Sequence, residues 1–185
     1  VDVGRVRVSD PEGRDVTRYF LNVASLGASG DVVRRVNASD KELGGTVTFA
    51  LSTVASLLSY RNRRVSLRVD DAPVEELRLN TLFVCNGRFA GGGMAVGPRA
   101  SMEDGWLDLT LVGDLSKLDS ILSGRLLYSG RIYDHPRVRH LRARRIEARP
   151  LEPDPVLVET DGEQPGQLPA VFDILPGALQ VHGQF

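Results

Sequence analysis

The sequence predicts an α+β domain that is mainly β, a sandwich or barrel carrying about three short helices. Three observations lead there: short alternating or β-branched runs recur along the chain, Gly, Pro, Asp and Asn separate them at close intervals, and only three stretches switch to helical spacing. The first strands are expected in "VDVGRVRV" (1–8) and "RDVTRYFLNVAS" (14–25). A short helix follows in "SGDVVRRVN", with Ser29 or Asp31 near its N-terminus. In "TVTFALSTVASLLSYRN" (46–62), Phe49, Val54, Leu57 and Leu58 stand at helical spacing, although the β-branched residues there oppose a helix. "RVSLRVDD" (64–71), "EELRLNTLFVCNG" (75–87) and "GWLDLTLVGD" (105–114) return to strands. "LSKLDSILSGRLL" (115–127) reads as a helix capped by Ser116, with Leu118, Ile121, Leu122 and Leu126 along one face and Gly124 as a blemish. Strands "HLRARRIEAR" (140–149), "PVLVETDG" (155–162) and "AVFDILPGALQVHG" (170–183) complete the chain, with "RPLEPDP" (149–155) as a loop.

A chain of 185 residues, 42% hydrophobic and 25% charged, can bury one good core. No repeat or linker divides it, so residues 1–185 are expected to form a single domain. The net charge of −1 supplies no general attraction to nucleic acid or an anionic membrane. The single cysteine, Cys85, sits in an apolar run and reads as a small buried hydrophobe, which fits a reducing, cytoplasmic setting. There is no apolar run of about 18 residues and no signal-peptide order at the start, so membrane contact is expected to be peripheral at most. The chain opens on a strand-like run without Met, as expected of a piece of a longer protein.

Several kinds of chemistry have no support. No phosphate-binding G-x-x-x-x-G-K-[ST] is present, and "GGGMAVG" fails G-x-G-x-x-G because Val96 stands at the third glycine position. His135, His140 and His182 lack metal-ligand spacing, and no G-x-S-x-G nucleophile elbow occurs. Six arginines between 137 and 149 divide over two faces of a strand: Arg142 and Arg144 on one, Arg137, Arg139, Arg145 and Arg149 on the other. That split favours a charged edge strand over a continuous stripe for anionic headgroups. Two places carry more. The triple glycine 91–93 after a strand implies unusual backbone angles or close approach, and "SMEDGW" (101–106) sets a carboxylate in a tight turn where carbonyls and water could complete an oxygen shell for Mg²⁺ or Ca²⁺. "VETDGE" (158–163) places Asp161 and Glu163 on either side of a glycine; by local rules it is a hairpin turn.

The order "FLNVASLGASGDV", "NGRFAGGGMAVGPRASMEDGWLDL", "VETDGE", "FDILPGALQV" resembles the C-terminal domain of the diacylglycerol kinase and sphingosine kinase family of lipid kinases, especially its bacterial members. The likeness runs from about Tyr19 to Val181. It implies a two-layer antiparallel β-sandwich that shapes a lipid cleft and, before it, an α/β nucleotide-binding domain with a Gly-Gly-Asp-Gly-Thr motif, which this sequence lacks. It further implies that Glu163 accepts the proton of the lipid hydroxyl as that oxygen attacks the γ-phosphate of ATP. Asp161 would help organise metal and water around the phosphates. A Mg²⁺ would bind in the 101–106 loop, through the Asp104 side chain and the carbonyls of Ser101 and Trp106; Trp106 departs from the smaller aliphatic residue usual there. The expected function is therefore the lipid-substrate half of an ATP-dependent lipid kinase acting on diacylglycerol or a related lipid, with the 185-residue chain inactive alone. The alternatives are a non-catalytic lipid- or ligand-binding β-sandwich, and a kinase of a soluble acceptor such as NAD.

Overall fold

The computed structural model describes residues 1–10, 12–38 and 59–182. The strands are β1 (Val3–Ser9), β2 (Asp15–Phe20), β3 (Val23–Gly27), β4 (Arg63–Val69), β5 (Glu75–Leu79), β6 (Thr81–Cys85), β7 (Phe89–Ala90), β8 (Met94–Ala95), β9 (Leu107–Val112), β10 (Val138–Ala143), β11 (Arg145–Pro150), β12 (Leu157–Thr160) and β13 (Glu163–Leu175). The helices are α1 (Ala28–Ala38) and α2 (Lys117–Tyr128), with a 3₁₀ turn at Ile132–Asp134. The helix expected around Phe49, Val54, Leu57 and Leu58 lies outside the described residues.

The fold is mainly β and antiparallel, as expected, but the described strands do not divide into two large sheets. Eleven of them pair in one curled sheet, in the order β10-β9-β6-β3-β12-β13-β11-β4-β5 with β1 joined to β13 and β2 to β1, while β7 and β8 form a separate pair. β13 makes this continuity: its first residues pair with β12, and its remainder pairs with β1 and with β11. The sheet folds over a common core in which Phe20, Val65, Ile146 and Phe172 of one half meet Leu26, Leu82, Leu107 and Leu109 of the other. On the opposite face of β3, β6 and β9, a smaller cluster of Val23, Cys85, Val96 and Ala100 packs with Phe83, Met94 and Leu127. β9 is buried at every residue because both of its faces are covered. Burial pushes the Cys85 thiol well up, so it behaves as a hydrophobe.

Three runs that read as single strands are each broken, and the causes lie far away in sequence. Between β2 and β3 the backbone amides of Leu21, Asn22 and Val23 turn to Asp161. Between β10 and β11 the amides of Arg144 and Arg145 turn to Asp70. Both aspartates sit at positive φ, 48° for Asp70 and 47° for Asp161. At Asn80, between β5 and β6, the carbonyl instead receives the amide of Ala28 at the start of α1.

The expected short helix is α1, whose first turn carries Asp31 in an ion pair with Arg34. In α2 the cap is as expected: the Ser116 hydroxyl accepts the Asp119 amide at 3.1 Å. Its predicted apolar face is corrected. The helix buries Ser120 and Ser123, while Leu118 is 65% and Leu122 54% exposed. The two inward serines satisfy themselves by donating to the Ser116 and Asp119 carbonyls four residues back.

The arginine-rich stretch spans the edge strand β10 and the interior strand β11. Arg139 is paired with Glu75, Arg142 with Asp104 and Arg145 with Glu147, so these charges meet carboxylates within the fold. No helix among the described residues is long and apolar enough to cross a membrane.

Candidate functional site

β12 and β13 are joined by Asp161 and Gly162, at φ 47° and 89°, with Thr160 and Glu163 as the closing pair. Two consecutive residues of positive φ make the tight hairpin expected from Asp-Gly. The Asp161 carboxylate accepts the amides of Leu21 at 2.7 Å, Asn22 at 3.2 Å and Val23 at 2.9 Å. Its own amide donates to the Val23 carbonyl at 3.0 Å. Both oxygens are thus committed to the β2–β3 break. Asp161→Ala is expected to cost about 2 to 3 kcal/mol, a value reduced because two of the amides lie near the surface. Asp161→Asn should cost about 1 kcal/mol, since Asn tolerates positive φ and keeps one acceptor. Urea denaturation checks the order, and equal losses would remove the clamp as its cause.

A third acid of the same hairpin, Glu159, is only 8% exposed. It stands directly opposite Ser25 of β3, whose hydroxyl donates to Oε2, while the Gly162 amide donates to Oε1 at 2.9 Å. Burial raises its pKa and the Asp161 charge adds to that, against the lowering effect of the Ser25 and Gly162 hydrogen bonds. Sequence reasoning passed over it because a charged residue in an alternating run reads as solvent-facing; the available signal was its place between Val158 and Thr160 opposite a small polar residue. A glutamate with a raised folded pKa contributes stability that is present below the ordinary carboxylate range and is lost as pH rises through the raised value. Glu159→Gln removes that contribution. Its urea midpoint is therefore expected to vary less than that of the unchanged chain from about pH 4 upward; an unchanged pH profile would contradict this assignment.

Glu163 is exposed and makes no side-chain hydrogen bond among the described residues. Directly paired residues share a face and neighbours alternate, so its side chain leaves the ribbon on the side of Thr160, opposite to Glu159.

Glu159, Asp161 and Gly162 are among the residues that line a cavity of about 580 Å³. The β3, β6 and β9 face supplies Val23, Phe83 and Val112; α1 supplies Val32; α2 supplies Ile121 and Leu127; Met94 comes from the β7–β8 hairpin that turns at the triple glycine. Those glycines lie at φ 49°, 76° and 98°, the unusual angles expected of them. Ser120, Ser123 and Gly124 of α2 also face this space, so the small side of the helix leaves room that leucines would fill. The lining is mostly apolar, and its size falls in the usual range for a ligand site.

The 101–106 loop carries two side-chain carboxylates, the exposed Glu103 and Asp104. Asp104 Oδ1 accepts the Trp106 amide at 3.1 Å, and Oδ2 is held by the Arg142 guanidinium. Arg142 and Arg144 both lie over the Trp106 ring, at 5.3 and 4.6 Å from its centre. A Mg²⁺ held by Asp104 would therefore share the carboxylate with Arg142 or compete with it for Oδ2. Arg142→Met frees that oxygen, so millimolar Mg²⁺ is expected to raise the thermal midpoint of the variant more than that of the unchanged chain. An equal response in both would show that Arg142 does not compete. Asp104, Ser101 and Trp106 remain together in one loop, on a different part of the fold from the 159–163 hairpin.

The chain is 29% identical to a Staphylococcus haemolyticus protein named as a lipid kinase, over 96% of this chain and 58% of that one. It is also 29% identical to a Xanthomonas euvesicatoria protein named as a YegS-like lipid kinase, over 89% of this chain and 52% of the other. The chain thus spans a little over half the length of these curated relatives. A solved structure from Bacillus anthracis, named as a diacylglycerol kinase, superposes with a TM-score of 0.68 at 24% identity, covering 96% of this chain and 54% of that one. That likeness is one of fold. Residues 22–183 match the model of the YegS C-terminal NAD kinase beta sandwich-like domain, and the chain belongs to that family.

Proposed function

We propose that this chain, as one domain over residues 1–185, is the lipid-substrate half of an ATP-dependent lipid kinase that phosphorylates a hydroxyl of diacylglycerol or a related lipid. The observation that carries the reading is the mostly apolar cavity of about 580 Å³ whose lining includes Glu159, Asp161 and Gly162 of the acidic hairpin. An acyl chain suits such walls through burial of apolar surface, and the hairpin adds carboxylates to the lining that a polar headgroup would meet. The names of the relatives point the same way.

In this reading the lipid hydroxyl oxygen attacks the γ-phosphorus of ATP, the bond from that phosphorus to the oxygen of ADP breaks, and the hydroxyl proton passes to Glu163. Phosphoryl transfer asks mainly for positioning and charge neutralisation. ATP, with the Mg²⁺ that accompanies it, is held by a nucleotide domain elsewhere in the whole protein, because this sequence contains no phosphate-cradling loop. Asp161 fixes the hairpin that carries Glu163, and a part for it in ordering phosphate-bound water is included in the proposal. The enzyme would work from the cytoplasm, touching the membrane peripherally to reach its substrate.

The test is a panel assay on the complete protein, following the γ-phosphate of labelled ATP into diacylglycerol, monoacylglycerol, sphingosine and NAD. Label in one of the lipids supports the reading. Label in NAD alone assigns a soluble acceptor, which the family's relation to NAD kinases keeps in view but the apolar lining opposes. No transfer to any acceptor leaves a non-catalytic binding module. The 185-residue chain alone should transfer nothing.

A further inference from the structure

Helix α2 faces two ways, and the fold accounts for only one of them. Ser120, Ser123 and Leu127 look into the cavity. A helix turns about 100° per residue, which sets Leu118, Leu122 and Arg125 together on the opposite side. Leu118 is 65% and Leu122 54% exposed there. Leucines four residues apart form one contiguous apolar patch, and such a patch beside a ligand cavity marks an interaction surface. The cations of this side are unexplained from within as well. Lys117 stands at the first residue of α2, where the helix dipole disfavours a positive charge. Neither Lys117 nor Arg125 has a carboxylate partner among the described residues. The acid of the helix, Asp119, is used at the N-terminus, where it accepts the Ser116 hydroxyl. Tyr128 joins the two sides: it lines the cavity and is 60% exposed, so the last turn of α2 borders a place where the cavity meets solvent.

We propose that the outward side of α2, with Leu118, Leu122, Lys117 and Arg125, is the surface by which the complete enzyme sits on a bilayer containing anionic phospholipid. The inference rests on the lipid reading of the cavity and adds the surface through which the substrate arrives. The leucines leave water for the acyl boundary, which is favourable in proportion to the apolar area removed. Lys117 and Arg125 lay their stems along that boundary and keep their charges among the anionic headgroups. Tyr128 suits the same level, its ring apolar and its hydroxyl wet, and holds the cavity opening against the membrane. A second copy of this chain fits the surface less well. A stable protein interface takes about 20–30 residues a side, and pairing this side with a copy of itself sets cations near cations.

The complete protein is mixed with phosphatidylcholine vesicles, with or without an equal part of phosphatidylglycerol, and the bound fraction is read by sedimentation. Turnover on the lipid panel dispersed in detergent is measured beside it. The unchanged protein is expected to bind the anionic vesicles about tenfold more tightly than the neutral ones. Leu118→Gln with Leu122→Gln, a change that keeps helix propensity, should weaken binding to both vesicles about tenfold or more. Lys117→Gln with Arg125→Gln should remove the preference for anionic vesicles and leave binding to the neutral ones as before. Neither pair should change detergent turnover or the thermal midpoint in solution, because these side chains are exposed and lie outside the cavity lining. Unaltered vesicle binding by both pairs, with a lipid phosphorylated in detergent, overturns the docking surface while the lipid reading stands. A lowered thermal midpoint or a lost dimer in the leucine pair, with vesicle binding unchanged, also overturns it and gives the face to the rest of the protein or to a second copy. Phosphorylation of no lipid in detergent removes the lipid reading and this inference with it.

Discussion

Glu163→Gln is expected to lower phosphoryl transfer by the complete kinase about 10²- to 10⁴-fold, the range for loss of one well-placed general base. Its thermal midpoint should not move. The side chain is exposed and has no hydrogen-bond partner among the described residues, so an isosteric amide disturbs no packing and leaves no group unsatisfied. The two readouts separate chemistry from folding, which Asp161 cannot do because its carboxylate holds three backbone amides. Near-normal turnover by a folded Glu163→Gln protein would take this residue out of the mechanism. Glu159, the buried carboxylate of the same hairpin, would then be the next residue to test.

Gly27→Ala is expected to produce the largest loss of stability, about 3 kcal/mol or more. Gly27 ends β3 at φ 100°, and a Cβ there would stand 2.4 Å from the Asn80 carbonyl oxygen. That carbonyl cannot withdraw freely, since it receives the Ala28 amide at 2.9 Å and so starts α1. The strain therefore combines a backbone clash with a conformation that alanine rarely adopts. Gly124→Ala gives the opposite sign: it lies inside α2 with nothing within 4 Å of the place a methyl group would take, and alanine there should stabilise by about 0.5 to 1 kcal/mol. Urea unfolding of the two variants checks both directions, and a Gly27→Ala loss under about 1 kcal/mol would show that the junction relaxes.

What could be read from the sequence was whatever neighbouring residues cause. Asp161-Gly162 forms its turn because both residues accept positive φ, and Ser116 caps α2 because its hydroxyl reaches the Asp119 amide. Gly, Pro and Asn spacing sufficed for the mainly β class. Features caused at a distance were hidden. The break after β2 depends on Asp161, about 140 residues later, and the break after β10 on Asp70, more than 70 residues earlier. The periodicity of α2 marks leucines, yet the cavity wall takes its serines, because the sheet face beneath the helix leaves a space instead of a core. Glu159 was hidden for a related reason: its burial goes with α1 packed against β12 and β3 paired beside it, which an alternating run does not reveal. At the 101–106 loop, the turn was visible but Arg142, the cation that answers Asp104, comes from another strand.

The double pairing of β13 also governs when this molecule can fold. Val3 is matched with Leu175 and Val8 with Ala170, so the first strand waits for the last one to be made. Until then β1 and β2 can form only an isolated hairpin with an unsatisfied edge, and β4, β5 and β11 have no bridge to the cavity-bearing half. Closing so long a loop places this chain among slow, high-contact-order folders. During synthesis its hazard is a waiting β1 edge, open to pairing with another unfinished copy until β13 covers it.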